Sequence, residues 1–179
     1  MDIEKLYSIY LSHPKIQTDS RKISAGEMFF ALKGERFNGN DFGQAALDHN
    51  AACVVMDEDR GINDKRIIVV EDVLTTLQAL SLHHRKQFDI PVIAITGSNG
   101  KTTTKELIHA VLSARYRTHT TKGNLNNHIG IPLTLLEMPI DTEIAVIEMG
   151  ANHQQEIRGY CRYVMPTHGI ITNCGKAHL

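Results

Sequence analysis

The strongest constraint on the fold is a glycine-rich loop that directly follows a short apolar run. Residues 91–104 read PVIAITGSNGKTTT, and Val92 to Ile95 form the β-branched, apolar pattern of a buried strand. Apolar spacing after the loop predicts a helix that buries one face, formed by Thr104, Leu107, Ile108, Val111 and Leu112. A strand, a glycine loop, Lys-Thr and a helix occur in this order in phosphate-binding loops.

Each part of this loop has a task in binding phosphate. Glycines let backbone N–H groups turn inward around phosphate oxygens, and the helix N-terminus adds positive potential. Lys101 would contact the β- and γ-phosphates, and the Thr102 hydroxyl would bind Mg²⁺. The predicted nucleotide contacts are Gly97, Ser98, Asn99, Gly100, Lys101, Thr102 and Thr103. The loop is shorter than G-x-x-x-x-G-K-[ST], because Ile95 stands at the first glycine, so a simple glycine turn is the alternative.

Composition excludes several other classes of protein. The 179 residues suffice for one or two small domains, and a net charge of −1 does not favour nucleic-acid or anionic-membrane partners. The N-terminus lacks the basic and apolar segments of a secretory signal, and no apolar run reaches membrane-spanning length. Three scattered cysteines, Cys53, Cys161 and Cys174, indicate free thiols in a reducing cytoplasm.

Two α/β domains are predicted, with their boundary just before Pro91. Residues 1–88 alternate helical and strand patterns, which indicates a small mixed α/β domain, and residues 89–179 begin with the phosphate loop. A last strand is predicted at residues 168–172, close to the end of the chain. Because parallel strands need crossover connections, we expect the second, parallel-sheet domain to be incomplete here.

An acidic residue follows the second apolar strand of the predicted parallel sheet. Residues 144–147 are fully apolar and lead into Glu148. Phosphate-loop enzymes place a carboxylate on the Mg²⁺ side at this position, beyond the carboxyl end of a buried strand. We therefore predict a metal role for Glu148, with a solvent-exposed glutamate at a strand end as the alternative.

Three polar segments are further candidates for ligand contacts. Residues 18–22 form a polar turn containing Ser20 and Arg21, and residues 33–42 place glycines beside Lys33 and Arg36. A charged surface hairpin explains residues 33–42 equally well. Residues 121–130 hold three asparagines, a lysine and two glycines, which is compatible with an ordinary loop or a ligand-facing one.

Taken together, these motifs resemble one enzyme family. The segments TGSNGKTT, NLNNHIGIPLTLL, EMGANH and NCGKAHL, in this order and spacing, resemble the Mur ligases of bacterial peptidoglycan synthesis. The first domain, with DSRKI, GEMFFALKGER and NGNDF, resembles the family's uridine-nucleotide-binding domain. The likeness is greatest to the member that joins D-Ala-D-Ala to UDP-MurNAc-tripeptide. Asn40 and Gln155 depart from it, standing where relatives often carry His and Gly.

The resemblance implies ATP-dependent amide formation through an acyl phosphate, with ATP and Mg²⁺ as cofactors. It implies catalytic roles for Lys101, Glu148 and His178, and a metal site formed by Thr102, Glu148 and His178. Ser20, Arg21, Lys33 and Gly34 would hold the uridine diphosphate, and Asn126 and Asn127 would contact substrate. UDP-MurNAc-tripeptide and D-Ala-D-Ala are the expected partners of a cytoplasmic monomer that binds no nucleic acid and does not insert into membranes.

The family also has a longer central domain and a third domain, so this chain alone is expected not to complete the reaction. Three alternatives stay open at this point: a UDP-sugar or nucleotide-binding module, another amide ligase of the same type, and a phosphate-loop NTPase switch. The motifs of the first domain argue against the switch, which needs no such domain.

Overall fold

A computed structural model of the chain describes residues 2–175 and divides into two compact units, Met1–Leu80 and Ser81–Leu179. Each unit contains a four-stranded parallel sheet, which confirms the predicted α/β fold and the parallel sheet predicted for the second domain. The division lies earlier than the boundary at residue 88 that the sequence suggests. It falls there because Arg85 donates hydrogen bonds to the carbonyls of Phe88 and Val164, which ties the last turn of its helix to the second unit.

The first unit surrounds a sheet with the strand order β1-β2-β5-β6. Its elements are α1 (Ile3–Ser12), β1 (Ile16–Gln17), β2 (Met28–Phe30), β3 (Lys33–Gly34), β4 (Phe37–Asn38), α2 (Gly43–Asp48), β5 (Cys53–Met56), β6 (Ile67–Val69) and the start of α3 (Val73–Arg85). Short 3-10 helices occupy Ser20–Lys22 and Gly39–Phe42. Strands β3 and β4 form the antiparallel hairpin that was one of the two interpretations of residues 33–42.

Strands β2 and β5 are buried on both faces, which explains their continuous apolar sequence. On one face Phe29 and Val54 pack with Ala46 and Leu47 of α2. The alternation of helices and strands that the sequence predicts for residues 1–88 is also present. Strand β1 is not predicted from the sequence, because a strand of two residues carries too little periodicity to be recognised.

The second unit has the strand order β10-β7-β9-β8, with all strands parallel. Its elements are the end of α3, β7 (Val92–Thr96), α4 (Lys101–Ser113), β8 (Thr118–Thr120), α5 (Gly130–Leu136), β9 (Ile144–Glu148), α6 (Glu156–Val164) and β10 (His168–Ile171). After β7 the chain builds β8 and β9 on one side and then β10 on the other. The carboxyl end of β7 is therefore a topological switch point, where α/β sheets bind ligands.

The two faces of this sheet are covered by different helices. Helices α5 and α6 cover one face, where Ile131 and Val164 pack against the alternating side chains Val92, Ala94 and Ile147. Helix α4 packs against strands β7, β8 and β9. The core is thus continuous up to the strand ends, which hold the loops beyond them in fixed positions.

The predicted buried face of α4 is wrong in part. Leu107 and Val111 are 64% and 74% exposed, whereas Lys105 is fully buried. The helix is rotated about its axis because the Lys105 ammonium reaches the polar end of the sheet and donates a hydrogen bond to the Thr121 carbonyl. Ile108 and Leu112 stay partly buried beside it.

The three cysteines are free thiols, as predicted. Cys53 lies in the core of the first unit, and burial raises the pKa of its thiol to about 12. In the part of the chain that the structure describes, no helix is both long enough and apolar enough to span a bilayer.

Candidate active site

The glycine loop joins β7 to α4 at the switch point of the second sheet. Gly97 and Gly100 have φ angles of +135° and +79°, in the region that favours glycine. A side chain on Gly97 would also collide with the Thr172 hydroxyl. Glycine is therefore required at position 97 for two reasons, the positive φ angle and the lack of space for a Cβ atom.

Helix α4 begins at Lys101, and no side chain caps its N-terminus. The N–H groups of its first turn have no partner within the helix, which makes this end suited to an anion. The Lys101 ammonium turns back over the loop and donates to the carbonyls of Gly97 and Ser98, at 2.6 and 3.2 Å. The cation predicted to contact phosphate therefore lies directly at the loop.

The segment after β10 braces the loop. Asn173 accepts hydrogen bonds from the backbone N–H groups of Ser98 and Asn99, at 3.2 and 3.0 Å. The Thr172 hydroxyl donates to the Asn99 carbonyl at 2.6 Å. Two of the loop N–H groups predicted to face phosphate thus already have partners, which leaves the N–H groups at the start of α4. Asn173 lies two residues beyond the end of β10, and a polar residue near the carboxyl end of a strand is the signal that also indicated Glu148.

Glu148 ends β9 and pairs in register with Ile95 of the neighbouring β7. It is buried, with 1% exposure, so the exposed-glutamate interpretation is wrong. Its Oε1 accepts a hydrogen bond of 2.8 Å from the Asn126 amide, and its N–H donates to the Thr121 hydroxyl at 2.9 Å. Its buried Oε2 accepts no hydrogen bond from the described residues. A buried carboxylate oxygen without a donor is costly unless a cation satisfies it.

The oxygen donors at this point are compatible with Mg²⁺. Residues 2–175 contain no group of three or more His, Cys, Asp or Glu side chains that could hold a metal ion. Mg²⁺ does not need one, because it binds one or two carboxylates together with substrate phosphates and water. Glu148 and the exposed Thr102 at the start of α4 supply such oxygens. The predicted ligand His178 lies outside the described residues, so its role stays a prediction.

A cleft of about 320 Å³ opens beside the glycine loop. Lys101 lines it, as do both predicted substrate residues, Asn126 and Asn127. Each asparagine also supports the fold, since Asn126 bonds Glu148 and Asn127 Oδ1 accepts from the N–H groups that begin α5. Further residues that line the cleft are not predicted from the sequence, namely His128, Asn152, His153, Glu156 and Tyr160.

The turn before α6 shapes the far wall of this cleft. Glu156 accepts hydrogen bonds from the N–H groups of His153 and Asn152, which lower the pKa of its carboxyl group. Gln155 has a φ of +69°, in the left-handed region where glycine is favoured. A glutamine at this position therefore carries a conformational cost. The position of this turn soon after β9 is the feature of the sequence that could have indicated its place in the site.

The first unit has its own cleft, of about 520 Å³. It is lined by Thr18, Asp19, Ser20, Arg21, Phe29, Phe37, Gly39 and Phe42. Residues Phe37 and Phe42 are 56% and 42% exposed, which is unusual for phenylalanine in a folded domain. The cleft thus combines exposed aromatic surface with a cation and a hydroxyl.

Arg21 is held in place by its neighbour Asp19. The guanidinium donates from Nε and Nη2 to the two Asp19 carboxylate oxygens, both at 2.8 Å. Asp19 also caps the 3-10 helix by accepting from the Arg21 N–H. These hydrogen bonds lower the pKa of Asp19 to about 2. The pair fixes the direction of the Arg21 side chain, although this side chain is 85% exposed.

Lys33 and Gly34 do not line this cleft. Lys33 Nζ pairs with Asp57 Oδ1 and Glu58 Oε1, both at 2.9 Å. Burial raises the pKa of Asp57, but hydrogen bonds from Lys33, Asn40 and the Val73 N–H outweigh it and lower the pKa. Gly34 lies against the Phe37 ring, which a side chain at this position would displace. Both predicted residues therefore act on the hairpin that presents Phe37.

Comparisons with known proteins match both units of the chain to one family. The Mur ligase family, catalytic domain, matches residues 15–99, and the Mur ligase middle domain matches residues 95–179. The UDP-N-acetylmuramoyl-tripeptide–D-alanyl-D-alanine ligase of Bacillus subtilis is 46% identical over 166 residues, covering 92% of this chain and 36% of that protein. The chain therefore spans little more than a third of this relative's length.

Solved structures show the same relationship. MurF from Acinetobacter baumannii superposes with a TM-score of 0.86 at 41% identity, covering 92% of this chain and 36% of that one. MurF ligase from Thermotoga maritima, solved in complex with ADP, gives a TM-score of 0.87 at 34% identity, covering 94% and 39%. Because the two family matches together span residues 15–179 and the folds agree, the chain belongs to the Mur ligase family.

Proposed function

We propose that this chain carries the UDP-substrate and ATP-phosphate sites of a ligase that adds D-Ala-D-Ala to UDP-MurNAc-tripeptide in peptidoglycan synthesis. One observation carries the proposal: Lys101, the uncapped start of α4 and the buried Glu148 carboxylate lie at one switch point. One relative named for this reaction is 46% identical, and a solved structure of MurF ligase contains ADP.

The proposed reaction joins two anions before it forms the amide. An oxygen of the tripeptide carboxylate attacks the γ-phosphorus of ATP, ADP leaves, and an acyl phosphate forms. The amine of D-Ala-D-Ala then attacks the acyl carbon, and phosphate leaves with the bonding electron pair while the amine loses a proton. The first step brings negative charges together, so it needs fixed positive charge at the phosphates.

The chain supplies this charge from two directions. The Lys101 ammonium lies over the loop carbonyls, from which it can turn to the β- and γ-phosphates. The free N–H groups at the start of α4 add partial positive charge. Thr102, Glu148 and His178 would hold Mg²⁺, which when bound offsets phosphate charge. Asn126 holds Glu148 in the required orientation and lines the adjoining cleft.

The uridine diphosphate would bind to the first unit. In its cleft, Ser20 and Arg21 offer donors to a diphosphate, and the exposed rings of Phe37 and Phe42 offer surfaces for a planar base. Lys33 and Gly34 would contribute by fixing the hairpin that carries Phe37.

We also propose that the protein is cytoplasmic and that it is a monomer. Light scattering, which measures molecular mass, would check the monomer.

Isothermal titration calorimetry of the 179-residue chain tests the proposal. We expect UDP-MurNAc-tripeptide and Mg-ADP to bind independently, and Lys101→Ala to weaken only Mg-ADP. Lys86→Ala, on an exposed lysine, is the matched control and should alter neither. Binding of the UDP compound alone would instead support a UDP-sugar-binding module. Binding of neither ligand would contradict both functions.

A further inference from the structure

A lysine that the proposed reaction does not use lies beside Glu148. Lys105 follows Lys101 by one helical turn, but its side chain turns toward the sheet and is fully buried. Its Nζ donates to the Thr121 carbonyl at 2.7 Å and pairs with Glu106 Oε1 at 2.9 Å. Burying an ammonium group costs free energy unless counter-charges lie nearby, so the burial of Lys105 at this point needs an explanation.

The pairing of Lys105 with the two acids is unequal. Glu106 is 58% exposed and lies within hydrogen-bond distance of the ammonium, whereas Glu148 Oε2 lies at 3.9 Å and makes no hydrogen bond to it. Lys105 thus has partners of its own at the Thr121 carbonyl and Glu106. The buried Glu148 carboxylate has only this ammonium as a nearby full positive charge among the charge pairs of the described residues.

We propose that Lys105 is the resident counter-ion of Glu148. It balances the buried carboxylate when no divalent cation is present, and it weakens the binding of a free divalent cation to that carboxylate. Metal then binds well only together with nucleotide phosphates, whose negative charge outweighs that of the lysine. The inference rests on the proposed metal role of Glu148.

The sign of the effect follows from charge. A divalent cation on Glu148 would share its carboxylate with the ammonium, and the two positive centres repel each other. A neighbouring charge within about 4–6 Å shifts an ionic equilibrium by roughly one to three powers of ten. Removing Lys105 should therefore tighten the binding of free metal. A lysine that only packed, or that only oriented Glu148, would leave this binding unchanged or weaken it.

Mn²⁺ binding to the nucleotide-free 179-residue chain, followed by electron paramagnetic resonance of free Mn²⁺, tests this sign. We expect Lys105→Met to bind Mn²⁺ about tenfold or more tightly than the unchanged chain. The gain should vanish when Glu148→Gln is added. Lys86→Met, the same change on an exposed lysine, should have no effect. Equal or weaker Mn²⁺ binding by Lys105→Met would overturn the proposal.

Stability provides a second measurement, because Lys105→Met leaves the Glu148 charge buried without its counter-ion. Urea unfolding without metal should show a loss of stability, and adding Glu148→Gln or Mn²⁺ should restore part of it. If Lys105→Met does not fold alone, recovery of folding in the double variant or with Mn²⁺ supports the proposal. Failure to fold under all these conditions would overturn it, because the Glu148 charge would then not be the cause.

The same proteins separate this inference from the proposed function. Unchanged Mn²⁺ affinity together with ADP binding that depends on Lys101 would overturn the counter-ion role and leave the proposed function standing. Absence of Lys101-dependent ADP binding in the unchanged chain would contradict the proposed function itself.

Discussion

Asn126 Nδ2 donates a hydrogen bond of 2.8 Å to Glu148 Oε1 and thereby joins the loop after β8 to the end of β9. The contact is reinforced by a second hydrogen bond, from the Gly150 N–H to the Asn126 carbonyl at 2.8 Å. There is little room between the two segments, since a side chain on Gly150 would lie 3.0 Å from the Asn126 amide. The loop and the carboxylate therefore form one unit.

Replacing this asparagine should destabilise the second unit. Asn126→Ala removes the donor from a buried carboxylate oxygen, so we expect a loss of about 1–3 kcal/mol in the free energy of unfolding. Urea denaturation measures it. The matched control, Asn124→Ala, changes an exposed side chain two residues away and should cost less than about 0.5 kcal/mol. Equal effects of both changes would show that the hydrogen bond to Glu148 contributes nothing specific.

Loss of the loop lysine should strongly slow the proposed ligase reaction in a full-length enzyme that contains this chain. Lys101→Ala removes the cation held over the loop, and we expect kcat to fall by roughly a hundredfold or more, as for other electrostatic clamps. Phosphate release at saturating ATP measures it. Near-normal turnover would contradict the phosphate-loop assignment, provided that Lys86→Ala is also normal.

Arg21 and Lys33 should differ in how they affect the UDP substrate. Arg21 lines the cleft, so Arg21→Ala should weaken UDP-MurNAc-tripeptide about tenfold, the cost of one charged hydrogen bond. Lys33 bonds Asp57 and Glu58 instead, so Lys33→Ala should weaken binding less. Calorimetric titration measures both. Unaltered affinity of the double variant would move the uridine site elsewhere.

The Asp19–Arg21 pair predicts a specific pH dependence. Because the pKa of Asp19 is about 2 in the folded chain, its contribution to stability is present above the unfolded pKa, near 4. That contribution is lost as the pH falls from about 4 through about 2. An NMR titration of the Asp19 carboxyl should show a midpoint near pH 2. Arg21→Gln should raise this midpoint, whereas Arg36→Gln, on an exposed arginine, should not.

Gln155 should be replaceable by glycine with a gain in stability. Its left-handed backbone costs about 1–2 kcal/mol for a residue with a Cβ atom, and glycine avoids this cost. Glycine loses more conformational entropy on folding, however, which offsets about 0.5–1 kcal/mol of the gain. We therefore expect Gln155→Gly to stabilise the chain by about 0.5 kcal/mol in urea denaturation. Gln155→Ala keeps the Cβ atom and should give no gain. A loss of stability in Gln155→Gly would show that the side chain has its own contacts.

Local signals in the sequence were sufficient for most of the fold. The apolar run at residues 92–95 and the glycines after it specified β7 and its loop, because buried parallel strands and left-handed turns restrict residue choice strongly. Glu148 was found by its place after a buried strand, since parallel strands bring their carboxyl ends to one edge. The polar turn at Ser20 and Arg21 was likewise visible from its Asp-Ser pair.

Only the tertiary structure decided how the polar side chains are paired. It paired Lys33 with Asp57 and Glu58, and Asn173 with the glycine loop, across long sequence separations. It also turned α4 so that Lys105, in place of Leu107 and Val111, is buried. Sequence periodicity reports where apolar surface can be buried, but a lysine is buried only where distant chain segments supply a carbonyl and carboxylates. Thr121 and Glu148 meet Lys105 only after β8 and β9 have joined the sheet.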